Sequence, residues 1–301
     1  MTNECIDICI CTYRRPSLTE TLASIAAQNL PAGLSLQIIV ADNDDNDIRR
    51  ASIDADAAAL GLDLTYLHAP ARNISIARNA CLKSARNDWI VFIDDDEVAT
   101  PDWIAKLVSA RQGAEVVFGK SQATYPDPAT PRWIVAGDFH SNRMAGNDAA
   151  WNGYTANALI DRRFVATHNL KFAELLGQIG GEDTIFFFEA FQLGARFRYA
   201  PAAVVTELTP LARASFRWLA LRRFRSGQVH YMILRRTGGA GSGAFAAVVK
   251  ALVCASRALL TIARPTSVAV HALRAALHVG VIASALGFAT YREYGGGDIR
   301  G

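Results

Sequence analysis

Short apolar runs alternate with helix-like segments over the first 120 residues, and no other feature constrains the fold as strongly. Four runs predict strands, at residues 6–11, 37–40, 64–67 and 89–93. Helical periodicity lies between them, at residues 17–28, 48–60 and 75–85. Strands joined through helices pair in parallel, with right-handed crossovers. The sequence therefore predicts an α/β fold in which a mostly parallel, Rossmann-like sheet is flanked by helices.

Acidic clusters stand where two of the predicted strands end. Residues 42–47 are all Asp or Asn, and residues 94–97 are Asp-Asp-Asp-Glu. In parallel sheets, ligands bind beyond the carboxyl ends of the strands. Both clusters fall at that edge, which predicts a ligand site there. Ser17 and Glu20 have the spacing of a capping box, which predicts the start of the first helix.

The acidic triplet Asp94, Asp95 and Asp96 favours a bound cation. Three adjacent carboxylates repel one another, and at the tip of an apolar strand they cost stability unless a cation lies among them. Successive strand residues face opposite ways, so Asp94 and Asp96 share a face. Hard oxygen ligands suit Mg²⁺ or Mn²⁺, and Mg²⁺ is usually held by one or two carboxylates plus substrate phosphates. The alternative is a solvated loop that caps the helix following Pro101.

Charge is distributed unevenly along the chain. Residues 211–301 contain 13 Lys or Arg and 2 Asp or Glu, whereas residues 1–210 contain 18 basic and 26 acidic residues. In the tail, basic groups recur at every seventh position: Lys250, Arg257, Arg264, His271 and His278. This spacing keeps the bases near one face of each helix that flanks Pro265. Such helices favour an anionic membrane surface, and the alternative is a solvated face on helices packed against the domain.

The Gly- and Ser-rich segment 237–243 predicts a linker, because its composition is that of a flexible chain. We therefore expect one domain at residues 1–236 and a helical, basic extension at 244–301. No run of about 20 apolar residues lacks charge, which argues against an ordinary transmembrane helix. No recognition motif accompanies the basic tail, so we expect no nucleic-acid partner. Five cysteines without a CxxC pair, and no secretion signal, predict free thiols in a reducing cytosol.

Five motifs, taken in order and with their spacing, resemble those of family 2 glycosyltransferases. They are Cys9-Ile10-Cys11-Thr12-Tyr13-Arg14-Arg15-Pro16, Val40-Ala41-Asp42-Asn43-Asp44, Ser75-Ile76-Ala77-Arg78-Asn79-Ala80, Phe92-Ile93-Asp94-Asp95-Asp96-Glu97 and Gly180-Gly181-Glu182-Asp183-Thr184. Each motif is weakly specific alone, but five in register are specific. The resemblance covers about residues 5–210 and implies the GT-A fold.

The resemblance implies a nucleotide-sugar donor, a UDP-sugar, bound at the N-terminal half of the sheet. By correspondence with the family's motifs, Thr12 and Tyr13 lie against the uracil, and Asp42 accepts a hydrogen bond from it. Arg78 is a partner for the nucleotide or for the nearby carboxylates; the alternative is an exposed helix arginine.

In the same correspondence Asp94 meets the ribose, and Asp96, with or without Asp95, holds the metal in a DXD-type motif. A bound divalent ion suits this chemistry, because the departing diphosphate gains charge as the glycosidic bond breaks. Many relatives add a histidine about two dozen residues after the Glu-Asp pair, where this chain has Thr206. The metal shell would then use Glu207, water or the diphosphate alone, and His230 is a weaker candidate.

Glu182 and Asp183 answer a second chemical need. Direct displacement at the anomeric carbon requires a base that removes the proton of the acceptor hydroxyl. A carboxylate on the face opposite the departing diphosphate does this with inversion of configuration. The resemblance assigns that role to Asp183. The alternative is helix capping, since acidic residues are favoured in a first helical turn.

The resemblance is strongest to family members that build exopolysaccharides such as succinoglycan. It implies transfer of a hexose, glucose, to a polyprenyl-diphosphate-linked oligosaccharide. It also implies a cytoplasmic protein that lies peripherally on the cytoplasmic face of the inner membrane.

Two other functions stay open at the level of sequence. A sugar-nucleotide pyrophosphorylase also uses a nucleotide-binding α/β sheet and Mg²⁺, but it needs a glycine-rich loop after the first strand. Residues 12–15, Thr-Tyr-Arg-Arg, contain no glycine. A non-catalytic assembly subunit would keep the fold and use the tail as a membrane anchor.

Overall fold

The computed structural model describes residues 4–142 and 153–288. Within these residues eight strands form one sheet, in the order β3-β2-β1-β4-β7-β6-β8-β5. The strands are β1 (Glu4–Thr12), β2 (Leu34–Asp42), β3 (Leu64–His68), β4 (Trp89–Ile93), β5 (Glu97–Ala99), β6 (Val116–Thr124), β7 (Asn157–Asp161) and β8 (Phe197–Leu208). The helices are α1 (Leu18–Ala26), α2 (Arg50–Ala59), α3 (Ile74–Ser84), α4 (Trp103–Ala110), α5 (Arg132–Gly137), α6 (Arg162–Thr167), α7 (Glu182–Gln192), α8 (Phe216–Arg236), α9 (Ala240–Leu260) and α10 (Pro265–Ala285).

The sheet has a parallel half and an antiparallel half. β1 pairs in parallel with β2 and with β4, and β2 pairs in parallel with β3. Beyond β4 the pairing is antiparallel, between β4 and β7, between β6 and β7 and between β5 and β8. The predicted α/β fold with flanking helices is confirmed. The strand signal in the first 120 residues predicts the parallel half and contains no information on the strands that follow.

Alternate residues of the parallel strands face two helical layers. In β1, Ile6, Ile8 and Ile10 pack in one core with residues of α1, α2 and α4. Cys9 faces the other way, into a second core with residues of α3, α6 and α7. This period-two alternation buries both faces of the strands, as expected of a parallel sheet between helices.

The register of the parallel strands brings their polar ends to one edge. Thr12 pairs with Asp42, and Asp42 pairs with His68, so three strands end side by side. β4 ends at Ile93 and leads directly into Asp94. The predicted carboxyl edge is therefore a continuous row of polar residues.

A chain of side-chain hydrogen bonds fixes α3 to this edge. The Asn73 side chain caps α3 by accepting hydrogen bonds from the backbone N–H groups of Ser75 and Ile76. Its own backbone N–H donates to the side-chain oxygen of Asn43, just beyond β2. N-caps of this kind stabilise a helix by about 1 kcal/mol. The cap fixes where the next turns of α3 point, and these turns carry Arg78.

The described chain forms two compact units. One contains the sheet with α1–α4, α6 and α7, and the other contains α5 and α8–α10. Within the second unit α10 packs against both α8 and α9. The close approach of α8 and α10 requires glycine, because a Cβ at Gly227 would lie 1.9 Å from the Leu277 carbonyl oxygen.

The predicted linker at 237–243 is mostly helical. α9 begins at Ala240, which leaves Thr237, Gly238 and Gly239 between α8 and α9. Gly238 has a φ of 74°, which a glycine adopts without strain and which ends α8. The structure groups α8 with the C-terminal helices, so the domain boundaries 1–236, 237–243 and 244–301 stay a prediction about independent folding.

Two helices of the second unit are long and apolar enough to cross a membrane by length and composition alone, namely α9 and α10. Little of either helix is buried. The sequence argument against a transmembrane helix considered uninterrupted apolar runs, whereas both helices keep their apolar character around isolated bases such as Lys250 and Arg274. The exposed apolar surface of α9 and α10 is therefore considered again with the function of the chain.

Candidate active site

Arg78 lies at the centre of a buried charge cluster. Its guanidinium pairs with the Glu182 carboxylate at the start of α7 and lies 3.9 Å from Asp94 Oδ1. The same group lies 5.5 Å from the centre of the Phe172 ring. Only 9% of the Arg78 side chain is exposed. Arg78 is therefore a buried residue and not an exposed helix arginine, and its guanidinium lies beside Asp94, one of the nearby carboxylates considered in the sequence.

A hydrogen-bonded turn shapes the acidic motif after β4. The Glu97 backbone N–H donates to the Asp94 carbonyl at 3.2 Å, and Glu97 Oε2 accepts from the Asp94 N–H at 3.1 Å. Glu97 Oε1 accepts from the Ser121 hydroxyl at 2.5 Å. The Ser17 hydroxyl donates to the Asp95 carbonyl at 2.9 Å. The expected capping box at Ser17 is therefore wrong, because this hydroxyl holds the acidic turn instead of the helix end.

Burial and mutual repulsion raise the pKa of the clustered carboxyl groups. For Asp95, burial raises the pKa to about 7, against the opposing effect of the Thr12 side chain. For Glu182, burial raises the pKa to about 7, while Arg78 acts to lower it and Asp183 to raise it. The pKa of Asp94 is raised in the same way, by burial and then by Asp96 and Asp183, although 45% of its side chain is exposed. These carboxyl groups therefore hold a proton more tightly than exposed carboxyl groups do.

Arg78 remains charged in this cluster. Burial alone would lower the pKa of its guanidinium, but the carboxylates of Glu182, Asp94 and Asp183 raise it above the ordinary value. Because Asp183 influences both Arg78 and Asp94, it lies in the same electrostatic cluster. Asp94, just after β4, and Glu182, on α7, thus contact one cation from α3, and the charge of Asp183 acts on the same cation.

The residues predicted to hold the nucleotide base lie at the ends of β1 and β2. Thr12 is buried, whereas Tyr13 is 37% exposed. Asp42 is fully buried, and its carboxylate accepts hydrogen bonds from the Tyr66 hydroxyl at 3.0 Å and from the Asp44 N–H at 3.1 Å. Asp44 in turn forms a two-pronged ion pair with Arg14 at 2.8 Å. The loop after β1 and the loop after β2 are therefore joined by an ion pair, and Tyr13 is the exposed one of the three residues predicted to lie at the base.

Asp183 stands at the amino end of α7. Its Oδ1 accepts a hydrogen bond from the Thr184 N–H at 2.6 Å, within the first helical turn, where acidic residues are favoured. The preceding Gly180 and Gly181 have φ angles of 90° and 87°. These left-handed conformations favour glycine and turn the chain sharply before the helix begins. The turn at Gly180 and Gly181 thus places the Glu182 side chain inside the protein beside Arg78, and Asp183 is half-buried.

The carboxylates at the edge of the sheet fit a divalent cation in charge and chemistry. Asp96 lies 3.3 Å from Arg15, with 20% of its side chain exposed, and Asp94 is more open still. Among the described residues, no group of three or more His, Cys, Asp or Glu side chains is arranged as metal ligands. Two carboxylates and oxygens of a diphosphate are the set that Mg²⁺ commonly takes. The residues present therefore fit a cation that arrives with its substrate.

The alternative metal ligands lie on two different elements. Thr206 and Glu207 belong to β8, where Glu207 pairs directly with Glu97 across the strands. Burial, and then Asp94, raise the pKa of Glu97 well above its ordinary value, and Glu207 adds to the effect. His230 lies on α8, in the second unit. Glu97 and Ser121 are the site residues that sequence reasoning missed, because a buried glutamate next to three aspartates looks like a fourth surface acid.

The chain was compared with known proteins. The model of the family described as glycosyl transferase family 2 matches residues 7–167. The chain is 41% identical over 300 residues to the succinoglycan biosynthesis protein ExoM of Rhizobium meliloti (strain 1021), an alignment that covers 98% of this chain and 97% of ExoM. The chain belongs to glycosyl transferase family 2. This membership confirms the resemblance drawn from the five motifs and the expectation that the chain is a glycosyltransferase.

More distant relatives share the family fold. The chain is 26% identical over 256 residues to a glucosyl-dolichyl phosphate glucuronosyltransferase of Haloferax volcanii, covering 74% of this chain and 75% of that protein. Among solved structures, S. aureus TarS residues 1–349 in complex with UDP-GlcNAc gives a TM-score of 0.56 at 14% identity. That alignment covers 93% of this chain and 92% of the TarS chain. Against a longer TarS chain this sequence spans 43% of the length. The likeness to TarS shows the GT-A fold.

Arg78→Met is expected to destabilise the protein by about 3 kcal/mol, because it leaves Glu182 buried without its counter-charge. Urea unfolding at pH 8 measures the change. Arg163→Met is a matched control, since Arg163 is an exposed arginine that pairs with Asp161 and Asp88. Exposed pairs are screened by water, so the control should stay close to wild type. Equal losses in the two variants would contradict the central role of Arg78.

The stability of the protein is expected to fall as the pH rises from about 4 to about 7. The folded-state pKa of Asp95 lies above its ordinary value of 3.8, so the folded protein binds extra protons in this window and loses that advantage as the pH increases. Asp95→Asn removes one such group, and we expect a flatter dependence of Tm on pH and a higher Tm at pH 7.5. Melting curves in EDTA, with Asp63→Asn as an exposed control, test this. Parallel curves for wild type and Asp95→Asn would refute it.

Proposed function

We propose that the chain is an inverting glycosyltransferase that moves a hexose, glucose, from a UDP-sugar to a polyprenyl-diphosphate-linked oligosaccharide. The observation that carries the proposal is the position of Arg78, which lies 3.9 Å from Asp94 at the sheet edge and pairs with Glu182, the residue before Asp183 on α7. Asp94 belongs to the strand end where ligands bind, and Asp183 heads a separate helix. This arrangement offers one acidic group for the donor and another for the acceptor.

The names of the relatives support the substrates. ExoM takes part in succinoglycan biosynthesis, and we infer a comparable place for this chain in building an exopolysaccharide. The Haloferax volcanii relative acts on glucosyl-dolichyl phosphate, a lipid-linked sugar, which supports a lipid-linked acceptor here. The complex of TarS with UDP-GlcNAc supports UDP as the nucleotide. Glucose as the transferred sugar rests on the resemblance to exopolysaccharide glucosyltransferases.

The donor site would lie along the carboxyl edge of β1, β2 and β4. Tyr13 offers an exposed ring on which the uracil can stack, and Thr12 lies beside Asp95 at the base of the same loop. Asp42 shapes this site from beneath, since its carboxylate fixes the loop that holds Asp44. Asp94 is open enough to accept hydrogen bonds from the ribose. Arg78 lies beside Asp94, and its positive charge acts to lower the pKa of that carboxyl against the effect of burial.

Asp96 and Asp94 are the residues that would hold Mg²⁺ or Mn²⁺. When bound, such an ion supplies positive charge to the leaving diphosphate. Arg15 pairs with Asp96 in the structure and would meet the diphosphate oxygens when that pair opens. Asp95 is the least exposed of the three aspartates, and its backbone carbonyl is taken by Ser17, so we assign it to holding the turn.

Asp183 would serve as the catalytic base. Its Oδ2 has capacity to accept the proton of an acceptor hydroxyl, because Oδ1 takes the contacts with Thr184. The deprotonated oxygen attacks the anomeric carbon from the face opposite the diphosphate. The bond from carbon to diphosphate oxygen breaks as the new glycosidic bond forms, UDP leaves with the electron pair, and the configuration inverts.

We also propose that the second unit attaches the protein to the cytoplasmic face of the inner membrane. α9 exposes an apolar stripe whose members lie three, four, seven and fourteen residues after Phe245, which places them on one face: Phe245, Val248, Val249, Leu252 and Leu259. Phe245, Leu252 and Leu259 are 73%, 65% and 71% exposed. Residues 208–292 contain no Asp or Glu, so the bases of these helices face an anionic bilayer without internal competition.

Asp183→Asn is expected to lower the transfer rate by about 10²–10⁴-fold, the usual contribution of a general base, with UDP binding unchanged. Radiolabelled UDP-glucose with isolated lipid-linked acceptors measures transfer, and a thermal shift with UDP measures binding. Asp63→Asn is the control, because Asp63 precedes β3 at the opposite edge of the sheet. Wild-type transfer by Asp183→Asn would favour a non-catalytic assembly subunit or another base.

The full chain is expected to float with vesicles that contain phosphatidylglycerol and to remain behind with phosphatidylcholine alone. Replacing Phe245, Leu252 and Leu259 by Gln should abolish flotation, because the apolar stripe then has nothing to insert. Circular dichroism checks that the variant keeps its helices. Flotation of the variant at the wild-type level would contradict the proposed contact.

A further inference from the structure

A groove between α9 and α10 is lined by both bases and apolar side chains. Its volume is about 480 Å³, and it lies wholly within the second unit. Lys250 and Arg257 line it from α9, and Arg274 and His278 line it from α10. Lys250 and Arg257 are two helical turns apart, and Arg274 and His278 are one turn apart, so four bases face one space.

The groove has a positive charge that nothing in its part of the sequence offsets. Residues 208–292 contain no carboxylate side chain, as noted above. Burial lowers the pKa of His278, and Lys250, His230 and Arg274 lower it further. Clustered cations without counter-charges destabilise the folded chain, and an anion that enters between them relieves this repulsion. Phosphate and diphosphate oxygens suit arginine in particular, since its planar fork donates two parallel hydrogen bonds.

Apolar side chains line the same groove beside the bases. Val253 lines it from α9 and Leu277 lines it from α10. Val253 is also 45% exposed, and it continues on the helix surface into the apolar stripe that begins at Phe245. A ligand that reaches the four bases therefore has an apolar surface beside it. Free phosphate or nucleic acid would make no use of that apolar surface, whereas a lipid phosphate would contact both the bases and the apolar side chains.

We propose that the groove between α9 and α10 binds the diphosphate headgroup of an isoprenoid lipid, with the isoprenoid chain lying along the apolar stripe of α9. The inference rests on the proposed function, because it gives the lipid-linked acceptor a binding site of its own. Lys250, Arg257 and Arg274 bind the phosphate oxygens, and His278 donates a hydrogen bond to them. The groove thus recognises the carrier lipid, while the donor sugar is bound on the sheet.

Binding of farnesyl diphosphate to the full chain, measured by titration calorimetry without membranes, tests the inference. We expect farnesyl diphosphate to bind at least about tenfold more tightly than farnesol or inorganic pyrophosphate, because only the complete ligand contacts both the bases and the apolar side chains. Lys250→Gln combined with Arg257→Gln should weaken binding at least about tenfold, since two charge-assisted contacts are lost. The control is Arg217→Gln, which removes an exposed charge from α8, outside the groove lining. This variant should bind farnesyl diphosphate as wild type does.

Several results would overturn the inference. They are the absence of farnesyl diphosphate binding to wild type, equal binding by the double variant, and equal affinity for pyrophosphate alone, which would indicate a free-phosphate site. Circular dichroism and the UDP thermal shift show that the double variant is folded. Because hydrolysis of the UDP-sugar donor reports on the sheet alone, a loss of lipid binding with donor hydrolysis intact separates failure at the groove from failure of the proposed transferase.

Discussion

The guanidinium of Arg78 allows the acidic groups of this site to come together. It is buried beside Glu182 and Asp94, and Asp183 contributes to the same field. Without a cation, a buried carboxylate such as Glu182 would take up a proton or expel the helix that carries it, since burial of an unpaired charge is costly. With the cation, α7 can dock its first turn at the edge of the sheet. The position of Asp183 therefore depends on an arginine from another helix.

The two halves of the sheet contribute different parts of the site. In the parallel half, Thr12, Asp42 and His68 lie side by side at the strand ends, because β1, β2 and β3 pair in one continuous register. The antiparallel half supports the acidic turn that follows β4. β5 follows the acidic turn at once and pairs with β8, which places Glu97 opposite Glu207. Glu97 then holds the Asp94 backbone through a hydrogen bond, so a buried glutamate with a raised pKa fixes the more exposed Asp94 in place.

Local pattern predicts the framework of the site and not its contacts. The strand β4 has the predicted bounds, and α3 begins within one residue of its expected start, because apolar period and capping are set by neighbours in the chain. The pair of Arg78 with Glu182 joins residues 104 positions apart. Ser17 meets Asp95 across 78 positions, in place of its own helix. Such pairs are decided by which partner the folded sheet brings near, and one sequence carries no direct signal of that proximity.

The two compact units differ in chemistry as well as in fold. The sheet unit gathers carboxylates, which suit a metal-bound sugar nucleotide and would be repelled by an anionic lipid surface. The helical unit has bases without carboxylates from residue 208 to residue 292 and exposes apolar stripes. A transferase that joins a water-soluble donor to a lipid-linked acceptor needs both an acidic and a basic surface. The two surfaces have to be separate, because the charge of each would cancel that of the other. Under the proposed function, the change in the sign of charge near residue 210 separates a surface for the nucleotide from a surface for the lipid.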